Sequence, residues 1–141
     1  MADVVEGERS LCRRDIVWET NFEPVAEVRG NDAHLRLMLS HLIRNALEAL
    51  PLQGGTIRFS TSTDSRGWIV LEIGDDGQGM DNATLQRAVE PFFSTRPGHL
   101  GIGLSVANGI WRRHRGTLTI LSHVGEGTRI RLCIEPVHKR A

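Results

Sequence analysis

Residues 73–80, IGDDGQGM, end an apolar run and then set two carboxylates, Asp75 and Asp76, among two glycines, Gly77 and Gly79. Standing alone, Asp-Gly after a strand signals a hairpin turn. The alternative is a backbone shaped to pass close to a ligand, beside a carboxylate that only accepts hydrogen bonds. A second unusual stretch, GHLGIGLS at residues 98–105, precedes a helical pattern. Glycines there let backbone N–H groups approach phosphate oxygens, and the following helix adds the positive end of its dipole. Taken by itself, the stretch is equally a flexible surface loop. A dinucleotide fingerprint is excluded because Val106 stands where its third glycine belongs, and no Gly-Lys-Ser/Thr run exists to make a Walker loop. The third candidate is Asn45. On a helical wheel, residues 33–50 gather Leu35, Leu39, Leu42, Ile43, Ala46 and Leu50 on one broad face. His34, His41, Asn45 and Glu48 fall on a narrow stripe beside it. Such a stripe is ordinarily a solvated face. Asparagine is a mediocre helix former, however, so its amide in mid-helix points to use, and an uncharged oxygen suits a hard Mg²⁺ ion carrying phosphate oxygens.

The elements that must position these residues follow from pattern. Residues 1–14, MADVVEGERSLCRR, mix charges without a clear period and read as a linker remnant or N-terminal extension, leaving residues 15–141 as the domain. DIVWETNF and VAEVRG read as two short strands around Pro24. Asn31 or Asp32 can cap a helix from about residue 33 to Leu50, where Pro51 and QGG stop it. GTIRFSTST and GWIVLEIG pair as strands through DSRG. DNATLQRAVE is a short helix, PFFSTRPGHLGIG an irregular loop, and LSVANGIWRRHRG a helix ending at Gly116. TLTILSH and TRIRLCIEP form a last hairpin across VGEG. The predicted fold is α+β, a two-layer sandwich whose mixed, mostly antiparallel sheet is covered on one face by helices.

Composition narrows the function classes. With 141 residues the chain fits one domain able to bury roughly 70% of its unfolded surface. Seventeen basic and seventeen acidic residues cancel, so no global charge argues for nucleic acid or an anionic membrane as partner. Cys12 and Cys133 form no spaced metal or redox motif, which favours a reduced, cytoplasmic compartment. No apolar run approaches the ~20 residues of a membrane span, and the polar N-terminus is no signal peptide. The expected setting is cytoplasmic, whether the parent protein is free or membrane-anchored, with no membrane contact by this domain.

Together these stretches resemble the ATP-binding catalytic domain of bacterial sensor histidine kinases, a fold shared with gyrase, the MutL-type repair ATPases and heat-shock chaperones. The resemblance covers roughly residues 15–136 and rests on five ordered motifs. HLIRNALEAL resembles the N box, DDGQG the first glycine box, PFFST the F box, GIGLS the second glycine box and GEGTRIRL the last one. It implies ATP and Mg²⁺ as ligands. Asp75 would accept the adenine amino group, which selects an amino purine over guanine's carbonyl. Gly77 and Gly79 would let the chain pass close to the base, and Thr128 would support the same contact through water. Asn45 would ligand Mg²⁺. Backbone amides at Gly101, Ile102, Gly103 and Leu104 would hold phosphates, with Arg96 an extra cation. Phe92 and Phe93 would anchor residues 91–103, the family's mobile ATP lid.

Two residues depart from the family pattern. His99 stands where many members have another glycine in the second box. His41 stands where many sensor kinases have asparagine and the related ATPases a water-activating glutamate. A histidine there can act as a general base or simply bond locally and fill space. In the family, the γ-phosphate goes to a histidine on a separate helical dimerisation domain, typically followed by an acid. The six histidines here are followed by Leu, Leu, Leu, Arg, Val and Lys, so the acceptor is expected elsewhere, with a response regulator downstream. An anti-sigma-factor-type serine kinase and a nucleotide-binding partner domain without transfer activity are the alternatives.

Overall fold

The structure, a computed structural model, describes residues 1–12, 15–90 and 103–137. The elements run α1 (Ala2–Leu11), β1 (Ile16–Phe22), α2 (Asp32–Ala49), β2 (Gly55–Thr63), β3 (Ile69–Asp75), α3 (Asn82–Arg87), α4 (Gly103–Arg113), β4 (Thr117–His123) and β5 (Gly127–Ile134). The strands form one sheet in the order β1-β2-β3-β5-β4. β1 pairs with β2 in parallel, and the other three pairings are antiparallel. The parallel pair is joined through α2, because parallel neighbours need a crossover long enough to return to the same end of the sheet.

One face of the sheet carries the core. Ile57 and Phe59 of β2, Ile69 and Ile73 of β3, and Ile130, Leu132 and Ile134 of β5 point the same way and are buried. Against them lie Met38, Leu39, Leu42, Ile43 and Ala46 of α2, with Ala107 and Trp111 of α4. This is the apolar face that the wheel assigns to α2, with Met38 added and Leu35 at its half-buried edge. Trp18 of β1 stacks on Phe59, ring centroids 5.8 Å apart. The opposite face is solvated except at buried Val70 and Cys133, and is tied by ion pairs between strands: Arg58–Glu19 at 2.7 Å, Arg129–Glu72 at 3.6 Å and Arg131–Glu72 at 3.7 Å.

One expectation is corrected, that of a second strand after Pro24. Residues 2–11, within the stretch read as a linker remnant or N-terminal extension, form α1, which packs on α2. Val5 is 3% exposed inside the core cluster and Met1 and Val4 lie against it, while Asp3 and Glu8 pair with Arg36 and Arg44 of α2. VAEVRG forms no strand. The Glu23 N–H still bonds Thr61 O at 3.1 Å, and Thr61 Oγ1 donates to Glu23 O at 2.8 Å. Pro24 then has no N–H with which to continue the ladder, and Val25 and Val28 remain exposed.

Helix starts follow the sequence closely. Asn31 caps α2 by accepting the His34 N–H at 3.0 Å. Asp81 caps α3 by accepting the Thr84 N–H at 2.8 Å, which holds its carboxyl below the ordinary range.

Candidate functional site

The glycine stretch leaves β3 at the edge of the helical layer. Asp75 is the last residue of the strand and points to the core face, where it is 8% exposed. Its Oδ1 accepts the Gly77 N–H at 2.9 Å. This tight bend suits a small polar side chain followed by glycine. The next carboxylate serves another purpose: Asp76 Oδ1 accepts the Thr56 N–H at 2.8 Å and ties the loop to β2. Gly77 lies so close to the end of α2 that a Cβ there would stand 2.4 Å from Ala49 O. That carbonyl takes the Gln78 N–H at 3.1 Å. Gly79 has φ +68°, and a Cβ on it would meet His123 O. Both glycines are therefore demanded by the backbone, one by proximity and one by conformation as well.

Thr128 of β5 stands opposite Asp75 in the β3–β5 ladder and is equally buried. Its hydroxyl lies 2.8 Å from Ser122 Oγ. Ser122 accepts the Met80 N–H at 2.8 Å and gives its single proton to Gly127 O at 3.0 Å. Thr128 must then donate to Ser122, which leaves its own oxygen lone pairs as acceptors beside Asp75. The pair thus offers acceptors, the complement of an amino group or of a bridging water. Ser122 is a residue the sequence analysis missed. Its signal was an inward position on β4, after Leu118 and Ile120, where an apolar side chain would otherwise be expected.

The other predicted residues sit on the two helices beside this pocket. Asn45 and His41 are half-buried on the same stripe of α2, one turn apart. Gly103 and Leu104 begin α4. A Cβ on Gly103 would lie 3.8 Å from His41 Nδ1, so the imidazole faces the N-terminus of α4. The positive dipole end of α4 is thereby set beside the Asn45 stripe. The structure joins His41, Asn45, Gly103 and Leu104 through the α2–α4 packing, and Asp75, Gly77, Gly79 and Thr128 through the sheet. Phe92, Phe93, Arg96, His99, Gly101 and Ile102 lie outside the described residues.

The donor set fits a nucleotide. A buried carboxylate and a hydroxyl supply acceptors at one end, and a helix N-terminus stands at the other. No group of three or more His, Cys, Asp or Glu among the described residues could hold a metal ion. A divalent cation here would take the Asn45 oxygen and complete its shell with phosphate and water, as Mg²⁺ does. A cavity of about 790 Å³ extends over the solvated face, lined by Glu19, Arg58, Glu72, Leu121 and Arg129. At its end it reaches Asp75, Ser122 and Thr128 of the site.

Comparison with known proteins places this geometry. Residues 30–138 match the family described as histidine kinase-, DNA gyrase B-, and HSP90-like ATPase. A putative sensor protein of Shewanella frigidimarina is 42% identical over 112 residues, 78% of this chain and 17% of that protein. Sporulation kinase C of Bacillus subtilis is 32% identical over 116 residues, 81% of this chain and 27% of that protein. The chain thus spans about a quarter or less of these relatives' length. Among solved structures, the mycobacterial sensor histidine kinase MprB superposes with TM-score 0.81 at 26% identity, covering 95% of this chain and 93% of that one. Full-length ShkA in complex with AMPPNP shares the fold, with TM-score 0.81 at 19% identity over 94% of this chain and 28% of that one. The chain belongs to the family of histidine kinase-, DNA gyrase B- and HSP90-like ATPases, and within it is an ATP-binding catalytic domain of the sensor histidine kinase kind.

Proposed function

We infer that the domain binds ATP with Mg²⁺ between α2, the Asp75 loop and the start of α4, and donates the γ-phosphate to a histidine on a separate helical dimerisation domain. The observation that carries this reading is the pairing of buried Asp75 with Thr128 across one ladder, floored by Gly77 and Gly79. Asp75 accepts the exocyclic amine of adenine, and Thr128 accepts from a bridging water. Asn45 would hold Mg²⁺, whose charge would offset that of the phosphates. By the family pattern, the amides of Gly101, Ile102, Gly103 and Leu104 take the phosphates, Arg96 is an extra cation and Phe92 an anchor of the lid. His41 stands at the phosphate end, where it orients the incoming nucleophile.

In the transfer, the bond from the γ-phosphorus to the β,γ-bridging oxygen breaks, and a bond to the acceptor's imidazole nitrogen forms. ADP leaves with the bridging oxygen. The acceptor is supplied by another domain, in cis or in trans, and a response regulator then takes the phosphoryl group. A cytoplasmic setting goes with these partners. The sensor-kinase relatives and the fit of the pocket to an amino purine support this reading.

The experiment is calorimetric titration with a non-hydrolysable ATP analogue and with GTP, each with and without Mg²⁺. Adenine-selective binding strengthened by Mg²⁺ is expected. Equal affinity for the guanine nucleotide, or none for either, would overturn the pocket.

A further inference from the structure

α2 and α4 run antiparallel and are joined at both ends. At the site end, His41 of α2 faces Gly103 of α4. At the far end, the Asn31 backbone N–H donates to His114 Nε2 at 3.1 Å. The other ring nitrogen, Nδ1, lies 2.8 Å from Ile110 O. A carbonyl only accepts, so Nδ1 carries the proton; Nε2 receives one from the backbone, so it carries none. Both partners together fix one neutral tautomer, assigned from the bonds it must make.

This contact replaces a familiar local device. In a capping box, the N-cap side chain accepts the N3 backbone N–H while an acidic or amide side chain at N3 takes the N-cap N–H in return. Here Asn31 makes the first bond to His34. His34 at N3 brings no carboxylate, and the N-cap N–H is taken by an imidazole from another helix. The start of α2 is thereby completed only when α4 is in place. Gly30 admits the ring, since a Cβ there would stand 2.8 Å from His114 Cδ2.

We propose that His114 is a positioning residue for the nucleotide site: as a neutral latch it holds α4 in register on α2, and its protonation releases the latch and weakens ATP binding. This rests on the ATP-binding reading above. The latch is ten residues from His41 along α2, about 15 Å at ~1.5 Å per residue, a span that one rigid helix transmits. Protonated imidazole has two N–H donors and no acceptor, so it meets the Asn31 N–H donor to donor. The bond therefore belongs to the neutral ring and is absent from the protonated one. The charged residues on the segments that meet there are Arg112, Arg113 and Arg115 on the α4 side, and Glu27, Arg29, Asp32, His34 and Arg36 on the other. Asp32 is bonded to Arg36 at 2.8 Å. No hydrogen bond or ion pair among the described residues joins any of these charged side chains to the imidazole.

The test compares wild-type protein with His114→Gln and His114→Phe, titrated with a non-hydrolysable ATP analogue and Mg²⁺ at about pH 8 and about pH 5.5, either side of the histidine range. Glutamine can offer an oxygen to Asn31 but cannot titrate. Wild-type affinity is expected to fall about five-fold more on acidification than that of His114→Gln, a coupling of ordinary size. Ligand protonation and His41 are common to both proteins and cancel. His114→Phe is expected to bind about five-fold more weakly already at pH 8 with its circular dichroism retained, and glutamine to restore the affinity. ¹⁵N spectra of the imidazoles decide the tautomer whether or not the Phe variant folds. An acid-dependent fall of equal depth in His114→Gln, or a proton on Nε2 at pH 8, would overturn the latch. Absence of wild-type binding at pH 8 would instead overturn the nucleotide reading, with the spectra still judging the tautomer.

Discussion

Asp75 and Thr128 stand opposite one another at the end of the β3–β5 ladder, each 8% exposed, with their side chains on the face that the helices cover. The register makes them a unit. Because side chains alternate, sliding either strand by one residue would turn one of the two out to the solvated face. The chemistry of the pocket is thus bound to strand pairing.

Asp75→Asn tests the acceptor. An asparagine oxygen can still take the Gly77 N–H, so the bend survives, while its NH₂ group faces a ligand that also donates. ATP affinity is expected to drop by about 1–3 kcal/mol with little change in melting temperature. Calorimetry that returned wild-type affinity would remove Asp75 from the adenine contact.

Ser122→Ala tests the hydroxyl relay. The change strips the Met80 N–H of its acceptor and frees the Thr128 proton to turn elsewhere. A stability loss of about 1–3 kcal/mol by urea unfolding is expected, together with weaker nucleotide binding. Weakened binding at full stability would show that Ser122 acts on the ligand alone.

Gly79→Ala tests the loop. The new methyl would meet His123 O, at a φ of +68° that alanine adopts poorly. A loss of at least about 1–2 kcal/mol follows from the conformation alone, measurable as a lower unfolding midpoint. An unchanged midpoint would mean that the loop rearranges freely.

Arg115→Gly should do the opposite. α4 ends with the Gly116 N–H on Trp111 O and the Arg115 N–H on Arg112 O, both at 3.0 Å, the pattern of a Schellman cap. Arg115 holds the left-handed position with φ 61°. Glycine there relieves about 1 kcal/mol of backbone strain, and the unfolding midpoint is expected to rise. A midpoint at or below wild type would show that the arginine side chain compensates for its own strain.

Val5→Ala separates α1 from a passive linker. Burial in the core cluster predicts a destabilisation of about 1–2 kcal/mol, whereas a linker position would leave thermal unfolding unchanged.

Much of this protein is written in local sequence. The wheel of residues 33–50 picks out the buried face of α2, because a helix repeats its side-chain directions within two turns. Asn31 and Asp81 mark helix starts because capping is decided by one side chain and the amides just beyond it. DDGQG marks backbone that must bend and pass close. Where the competing force was not local, the sequence misled: VAEVRG has strand composition, but Pro24 and an unpartnered sheet edge deny it a ladder. The charged α1 has no strong period, yet Met1, Val4 and Val5 meet the core and Asp3 and Glu8 pair with arginines of α2. Only the tertiary structure set Thr128 opposite Asp75, put Ser122 behind them, turned His41 toward Gly103 and brought His114 to the amide of Asn31. Each of those pairings joins residues on different elements. Strand register and helix packing decide them, and no spacing along one chain segment records either.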